Sequence, residues 1–520
     1  MYRTNERTNA IVRLLIAGLP VGLGLGLVTA GCYQSSEEDD DEPAVIISGG
    51  DAMNNGNGSG GGNDVVGGGD AGGTSSDSST NTNGDDGGTT TKRDTGPNQQ
   101  MCKVKQPSGF KAAPTTFSVP TPRCGEEFDA IADYRGDLRY QLVDLTADGQ
   151  SDLVVTAEGC DEAVGTKRWD FYPASDSGFA KSPKPYRIPT PRCDTEFDFS
   201  SGGARGKVEY MLRDMTGDAY PDLVIYDEDC DEAVGRSRWD VYKGGAEGFA
   251  RTPTDYGLPS PRCNESFDGP SGRGDLEYGL RDMTGDGWVD IVVYDEGCDE
   301  NIGSTRWDVY AGGKNGFEKR PTEWSLPTTR CNDPFDALAS TRGEVEYTLM
   351  DFTGDGASDL VVVDEDCDEA IGRSRWDLYP AQKSGFAKTP TSYGLPTPRC
   401  SNEWDGIADY RGDLEYLTTR VACESFPSLV VTEDACDEAV GRSRWGLYRG
   451  KSGAFAQQPS SFSLPAPRCN EDFDAWTDSG GDLEYSVLNL RGDGGVEVVV
   501  FDDGCDTDIG KVHWDVYELK

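Results

Sequence analysis

A sixfold internal repeat constrains the fold of this chain more than any other feature of its sequence. After residue 101, an Arg-Cys dipeptide recurs at intervals of 68 to 70 residues. So regular a period indicates one supersecondary unit copied along the chain, and such units bury their apolar faces against each other. The cysteines of the six dipeptides are Cys124, Cys193, Cys263, Cys331, Cys400 and Cys469.

Each copy contains four short apolar or β-branched stretches separated by Gly, Pro and Asp, which predicts four β-strands. In the third copy these stretches lie within 276–280, 291–294, 306–310 and 316–327. Units of four strands are typical of a β-propeller, which closes into a ring and leaves no long exposed edge. The sequence therefore predicts an all-β, six-bladed propeller over 101–520, with an open solenoid as the alternative.

The two ends of the repeat array predict how the ring closes. The last copy stops after its third strand, within 512–519, and lacks a fourth. Residues 109–120 begin with Gly-Phe and end with Val-Pro, and they match the fourth-strand segment 316–327 of the third copy. We expect 109–120 to form the outer strand of the last blade.

Charge and histidine content exclude several classes of function. The chain has 93 acidic and 48 basic residues, for a net charge of −45. Nucleic-acid binding depends on clustered Lys and Arg, so nucleic acid is excluded as a partner. The single histidine, His513, leaves no material for a Ser-His-Asp triad or a His-ligated zinc site.

The first 31 residues are predicted to be an export signal. Arg3, Arg7 and Arg13 precede an apolar run over 14–30. The run ends in Ala-Gly before Cys32, which resembles a bacterial lipobox and implies a lipid on that cysteine. An ordinary secretory signal and an uncleaved membrane helix are the alternatives.

The resemblance also implies a destination, and the composition of the next segment predicts a linker. Tyr33 rather than Asp follows Cys32, which implies anchoring at the outer membrane or cell surface of a Gram-negative bacterium. Residues 32–100 are mostly Gly, Asn, Ser, Thr and Asp, so they bury too little apolar surface to fold. They are predicted to form a disordered acidic tether between the membrane and the propeller.

The loop between the first and second strands carries the pattern Asp-x-Thr-Gly-Asp-Gly-x-x-Asp. Carboxylates at positions 1, 5 and 9, an oxygen at 3 and a turn glycine at 6 suit a hard cation such as calcium. The alternative is a plain hairpin turn, which would crowd three carboxylates together. The candidate ligands are Asp144, Thr146, Asp148 and Asp152; Asp214, Thr216, Asp218 and Asp222; Asp282, Thr284, Asp286 and Asp290; and Asp351, Thr353, Asp355 and Asp359.

The six loops are not equivalent. Ala219 replaces the turn glycine of the second copy, which weakens the case for calcium there. The fifth copy has Arg420 at position 1 and Ser428 at position 9, so we expect no calcium in it. The sixth has Arg491 at position 3, which points a cation at the site, and Glu497 at position 9.

This loop resembles the calcium loop of the FG-GAP/VCBS repeat family, which is also found in the propellers of integrin α subunits. The resemblance extends over all six copies. It implies an exported propeller that structural calcium ions stabilise.

Twelve of the 15 cysteines form six pairs, one in each copy. In an exported protein such pairs predict disulfides, within a blade or between neighbouring blades. A bond between Cys102 and Cys423 is a further hypothesis. The pairs are Cys124 and Cys160, Cys193 and Cys230, Cys263 and Cys298, Cys331 and Cys367, Cys400 and Cys436, and Cys469 and Cys505.

An Asp-Glu dipeptide follows the second cysteine in five copies, and an arginine comes soon after it. Ion pairs within the blade are one interpretation, and a ring of acidic sites for a ligand is the other. A repetitive ligand such as a glycan would then bind by avidity. The residues are Asp161, Glu162, Asp231, Glu232, Asp299, Glu300, Asp368, Glu369, Asp437 and Glu438.

The sequence thus favours a surface-anchored binding or adhesion module whose partner is a glycan or a cell-surface protein. A glycan lyase or hydrolase that uses paired carboxylates is one alternative. A structural scaffold of the cell envelope is another. No catalytic residue stands out, because every conspicuous carboxylate recurs around the ring.

Overall fold

The computed structural model describes residues 106–520 apart from 135, 191, 198–206, 261, 264, 268–274, 329, 332, 342, 398, 401, 411, 412 and 480. Six antiparallel sheets follow one another along these residues, and each is one blade of a propeller. The described residues form strands and turns, and none of them lies in a helix. No segment among them meets the length and apolarity of a membrane-spanning helix.

The first two blades share a plan of four antiparallel strands in chain order, to which blade 1 adds a short edge strand. A strand near the start of the described chain, β1 (Thr115–Ser118), belongs to another blade. Blade 1 consists of β2 (Ala132–Asp133), β3 (Leu138–Val143), β4 (Asp152–Glu158), β5 (Arg168–Tyr172) and β6 (Lys184–Arg187). Blade 2 consists of β7 (Val208–Arg213), β8 (Asp222–Glu228), β9 (Arg238–Tyr242) and β10 (Thr254–Gly257).

Blades 3 and 4 follow the same plan. Blade 3 consists of β11 (Leu276–Arg281), β12 (Asp290–Glu296), β13 (Arg306–Tyr310) and β14 (Thr322–Ser325). Blade 4 consists of β15 (Val345–Met350), β16 (Asp359–Glu365), β17 (Arg375–Tyr379) and β20 (Thr391–Gly394). Its hairpin β18 (Ala381–Gln382) and β19 (Gly385–Phe386) joins the edge of blade 3.

Blades 5 and 6 complete the ring. Blade 5 consists of β21 (Ala408–Asp409), β22 (Leu414–Thr419), β23 (Ser428–Asp434), β24 (Arg444–Tyr448) and β27 (Ser460–Ser463). Its hairpin β25 (Gly450–Lys451) and β26 (Ala454–Phe455) joins the edge of blade 4. Blade 6 consists of β28 (Thr477–Asp478), β29 (Leu483–Leu488), β30 (Glu497–Asp503) and β31 (His513–Tyr517).

The ring closes as the sequence predicts, because β1 pairs antiparallel with β31 and becomes the fourth strand of blade 6. Phe117 lies opposite Trp514 in this pairing. The backbone N–H of Lys520 also donates to the carbonyl of Gly109, at 2.9 Å. The prediction of a closed six-bladed propeller is confirmed, and the open solenoid is excluded.

The apolar core lies between blades and is not confined to single blades. One cluster joins Val292 and Trp307 of blade 3 to Val345, Tyr347 and Leu360 of blade 4. Five further clusters repeat this arrangement. Each blade is therefore stabilised by its neighbours, since a single four-stranded sheet cannot cover both of its own faces.

The repeated tryptophan of the third strand anchors each of these junctions. Trp307 is fully buried, and its indole N–H donates to the carbonyl of Phe335 in the next blade, at 2.6 Å. The same bond to the next blade is made in every copy. The tryptophans are Trp169, Trp239, Trp307, Trp376, Trp445 and Trp514.

The edges of neighbouring blades approach so closely that only glycine fits at one point. Gly385 has a φ of +142° and bridges to Ser325 of blade 3. A Cβ at this position would lie 2.5 Å from the carbonyl oxygen of Ser325. This explains why Gly-Phe recurs before the fourth strand of the repeat.

Candidate functional site

The propeller has two chemically different faces. The loops between first and second strands, which carry the aspartate pattern, lie on one face; we call it the aspartate-loop face. The loops between second and third strands carry the second cysteine of each pair and lie on the other, the disulfide face. The two faces are opposite because the strands are antiparallel.

The aspartate loops hold their carboxylates through backbone hydrogen bonds. In blade 3, Asp282 accepts from the N–H groups of Gly285, at 2.7 Å, and Gly287, at 2.8 Å. Asp290 is fully buried and accepts from Met283, at 2.9 Å, and from Gly312 beyond the third strand, at 2.8 Å. The loop thus fixes both carboxylates before any ligand binds.

These carboxylates are largely buried and lie close together, so their negative charges are poorly solvated and repel one another. Burial, together with repulsion from Asp282 and Asp286, raises the pKa of Asp290 to about 7. Burial also raises the pKa of the position-9 aspartates of the other three loops, to about 7 for Asp152 and to about 6 for Asp222 and Asp359. A nearby divalent cation would relieve this repulsion.

Uncompensated oxygen atoms show that the loops suit a cation. The hydroxyl oxygens of Thr216 and Thr353, at position 3 of blades 2 and 4, are buried and have no hydrogen-bond partner. An oxygen at this position is what an oxygen-coordinated cation requires. The residues present therefore fit calcium.

The backbone also explains the turn glycine at position 6. Gly149, Gly287 and Gly356 have φ values of 88°, 85° and 90°. Ala219 adopts the same conformation, with a φ of 72°. A residue with a Cβ is strained in this region by about 1–3 kcal/mol, so the loop of blade 2 is strained at position 6. The loop of blade 1 has the same kind of strain at position 4, where Ala147 has a φ of 57°.

The loops of blades 5 and 6 contain ion pairs of the protein. In blade 5, Glu424 pairs with Arg449 and accepts from the hydroxyl of Ser428, at 2.8 Å. In blade 6, Arg491 is nine-tenths buried and lies 2.6 Å from Glu518. Burial and repulsion by Asp493 raise the pKa of Glu497 to about 8.

All six predicted disulfides are present, and each lies within one blade. Their Cα atoms are 5.5 or 5.6 Å apart, inside the usual range. Pairing between blades, the alternative left open by the sequence, does not occur among them. Cys423 is also disulfide-bonded. Cys102 and Cys32 lie outside the described residues.

An ion-pair network underlies each disulfide. In blade 3, Arg262 contacts the buried carboxylates of Glu296, at 2.6 Å, and Asp308, at 2.5 Å. Arg306 continues the network to Asp308, at 3.0 Å, and to Asp299, at 2.7 Å. This role of the arginine in each Arg-Cys dipeptide was not predicted from the sequence, although the regular recurrence of that residue was a signal for it.

The Asp and Glu of the Asp-Glu dipeptides therefore behave differently. The aspartates pair with the arginine seven residues later: Asp161 with Arg168, Asp231 with Arg238, Asp299 with Arg306, Asp368 with Arg375 and Asp437 with Arg444. The glutamates are exposed on the disulfide face; they are Glu162, Glu232, Glu300, Glu369 and Glu438. Ion pairing within the blade is confirmed for the aspartates.

A second acidic feature was not predicted from the sequence. At the junction of blades 4 and 5, Glu346 lies opposite Asp364 on the neighbouring strand, and Asp405 of blade 5 adds a third carboxylate. These residues line a cavity of about 290 Å³ together with Ser340 and Thr341. We call such a group of three carboxylates an inter-blade notch.

Four successive junctions carry this notch. Burial, and repulsion by neighbouring carboxylates, raise the pKa of Glu277, Glu346 and Glu484 to about 7 and that of Glu415 to about 8. Blade 1 departs from the pattern, with Arg139 opposite Ala157. The full groups are Glu277, Asp295 and Asp336; Glu346, Asp364 and Asp405; Glu415, Glu433 and Asp474; and Glu484, Asp502 and Asp129.

The notches should make the stability of the propeller depend on pH. A carboxyl with a raised pKa in the folded state binds its proton more tightly there than in the unfolded chain. Their contribution to stability is therefore greatest below about pH 4.5 and is lost as the pH rises towards 8.

Glu415→Gln should flatten this part of the profile, because its pKa is the highest of the four. Urea unfolding of the wild type and the variant between pH 5 and pH 8 measures the difference. An equal slope for both proteins over this range would contradict the assignment.

No family model matches the sequence, and no curated protein matches it. Solved structures similar to the propeller include the Tc holotoxin pore of Photorhabdus luminescens, at 15% identity and a TM-score of 0.45; the match covers 79% of this chain and 15% of that chain. A lectin of Agrocybe aegerita that recognises non-reducing terminal N-acetylglucosamine matches at 17% identity and a TM-score of 0.38, over 72% of this chain and 78% of the lectin. An exo-β-1,3-galactanase of Phanerochaete chrysosporium matches at 9% identity and a TM-score of 0.25, over 74% of this chain and 78% of the enzyme.

Proposed function

We propose that the protein is an exported propeller of the FG-GAP/VCBS type, anchored by a lipid on Cys32 at the outer membrane or cell surface of a Gram-negative bacterium. Calcium in the aspartate loops stabilises the ring, and the disulfide face binds a repetitive ligand, for which a glycan is the best candidate. The observation that carries the binding role is the recurrence of the same notch at four successive junctions.

The chemistry of the notch suits a polyhydroxylated ligand. Carboxylate oxygens accept hydrogen bonds from hydroxyl groups, and a protonated Glu346 also donates one. Ser340 and Thr341 add two further hydroxyls to the cavity wall. Four similar sites on one ring bind a polymer by avidity even when each site alone is weak.

Calcium has a supporting role in this proposal. In blades 1 and 3 the fixed carboxylates and the hydroxyls of Thr146 and Thr284 would supply the ligands, and the cation would neutralise charge that the fold otherwise concentrates. Its chemistry is structural: it holds the loops between first and second strands without taking part in a reaction.

A glycan lyase or hydrolase is the second candidate. A carboxyl with a pKa near 7 is the kind of group that acts as a general acid or base, and Glu346 meets this condition. Against it, the same group recurs in three other blades, whereas a catalytic centre needs one distinct constellation. A scaffold role would require neither binding nor turnover.

Binding to an array of bacterial and host glycans tests the proposal. We expect the full chain to bind a repetitive glycan in calcium, and to bind it more weakly in chelator. Because binding depends on avidity, each of the changes Glu277→Gln, Glu346→Gln, Glu415→Gln and Glu484→Gln should weaken it by roughly tenfold, and the quadruple variant should not bind.

Glu247→Gln is the matched control, since Glu247 is exposed on the opposite face. Full binding by the quadruple variant would place the ligand elsewhere. If Glu346→Gln alone abolished turnover of a bound glycan, the enzyme would replace the binding module as the better description.

A further inference from the structure

The residue that follows the third strand reaches the aspartate loop of its own blade, and its charge differs between blades. In blade 2 the ammonium of Lys243 lies 2.8 Å from the position-5 carboxylate of Asp218. In blade 5 Arg449, at the same place in the repeat, pairs with Glu424. Blades 1, 3 and 4 have Pro173, Ala311 and Pro380 there.

Lys243 is placed so that its positive charge can interact with all three carboxylates of the blade 2 loop. Its ammonium pairs with the carboxylate of Asp218, and the negative charges of Asp222 and Asp214 also attract it. All three carboxylates that would coordinate calcium in blade 2 therefore already attract one positive charge of the protein. Calcium could gain its full electrostatic stabilisation only by displacing Lys243.

A cation reaches the loop of blade 4 from the next blade. The guanidinium of Arg420 donates to the carboxylate of Asp351, at 2.9 Å, and to its backbone carbonyl, at 3.0 Å. Asp351 is position 1 of the blade 4 loop, and Arg420 occupies position 1 of the blade 5 loop. Blade 5 has arginine where the loops of blades 1 to 4 have aspartate at position 1. This difference removes a ligand from the loop of blade 5 and adds a cation to the loop of blade 4.

We infer that the protein supplies its own cation in blades 2 and 4, through Lys243 and Arg420. Calcium then enters these loops, where the partnerless hydroxyls of Thr216 and Thr353 would help to bind it, only when that side chain is removed. Arg449 and Arg491 have the corresponding role in blades 5 and 6. This inference rests on the proposed calcium function. Four loops of the chain carry the full or nearly full aspartate pattern, and the inference reduces the number that bind calcium in the wild type from four to two.

Counting bound calcium ions tests the inference. The full chain is equilibrated with calcium, passed through a desalting column and weighed by native mass spectrometry. Lys243→Met and Arg420→Met should each bind one ion more than the wild type, and the double variant two more. Asp218→Asn in the otherwise unchanged protein should lose no ion.

Lys314→Met is the control for charge alone, because Lys314 is exposed on the same face. It should leave the count unchanged. Arg420→Gln serves as a second variant in case methionine disturbs the loop, and near-ultraviolet circular dichroism confirms that each protein is folded.

The outcomes separate this inference from the proposed function. If the wild type binds calcium and the methionine variants bind no more, or if Asp218→Asn loses an ion, the inference is wrong and the calcium function stands. If neither the wild type nor any variant binds calcium, both are overturned.

Discussion

Replacing Phe117 and Phe110 together with alanine should open the ring and remove most of the folding free energy. Both side chains are fully buried. Phe117 stacks on Trp514, with ring centroids 6.5 Å apart, and Phe110 packs edge-on against Trp445 at 5.6 Å. Loss of a buried phenylalanine costs about 3–5 kcal/mol. Two such losses are comparable to the 5–15 kcal/mol that typically stabilises a whole domain.

Urea unfolding followed by tryptophan fluorescence measures the effect. Thr116→Ala is the matched control, because Thr116 precedes Phe117 on β1 but its side chain is exposed to solvent. We expect the control to keep the wild-type midpoint. A double variant that unfolded at the same urea concentration as the control would show that the ring does not depend on this closure.

Loss of the disulfides is the second large effect. Each bridge closes a loop of 35 to 37 residues, and loop-closure entropy assigns about 4 kcal/mol to a loop of that length. Replacing Cys263 and Cys298 together with alanine should therefore lower the free energy of unfolding by about that amount. Reduction of the six bridges within the blades, together with the bond of Cys423, should leave the propeller unfolded or barely stable at room temperature.

The comparison is made in urea with and without reductant. Without reductant the double-alanine variant should unfold at lower urea than the wild type, and with reductant the two proteins should converge. An unchanged wild-type midpoint in reductant, with free thiols verified by alkylation, would mean that packing between blades suffices.

Periodicity predicted the fold well because each of its signals repeats within one copy. The four strands of each blade and the six cysteine pairs follow from motifs at fixed spacing within one copy, but the sequence left open whether each disulfide lies within a blade or between neighbouring blades. The tryptophan of each third strand recurs at one fixed strand position, and this recurrence marks a packing contact between blades, such as the bond from Trp307 to Phe335. Short strands such as β2 and β21 were missed, since two residues give no alternation to read.

Features that join two blades were harder to predict. The notch combines Glu346 and Asp364 of one blade with Asp405 of the next, and no local spacing links them. The available signals were two recurring dipeptides. One is Glu-Tyr in the first strand, and the other is an aromatic residue followed by aspartate shortly before that strand, such as Trp404-Asp405. Likewise, the reach of Arg420 into blade 4 depends on how neighbouring loops pack.

The closing strand also affects the order of folding during synthesis. Thr116 and Phe117 emerge before any blade exists, but their partners Asp515 and Trp514 are made only after every other blade. The earliest strand must therefore stay unpaired while the rest of the chain appears, and the long-range contact that completes the ring is necessarily the last to form. A ribosome that stalled before His513 would release a chain with five blades and two unsatisfied edges, which is the kind of product that aggregates.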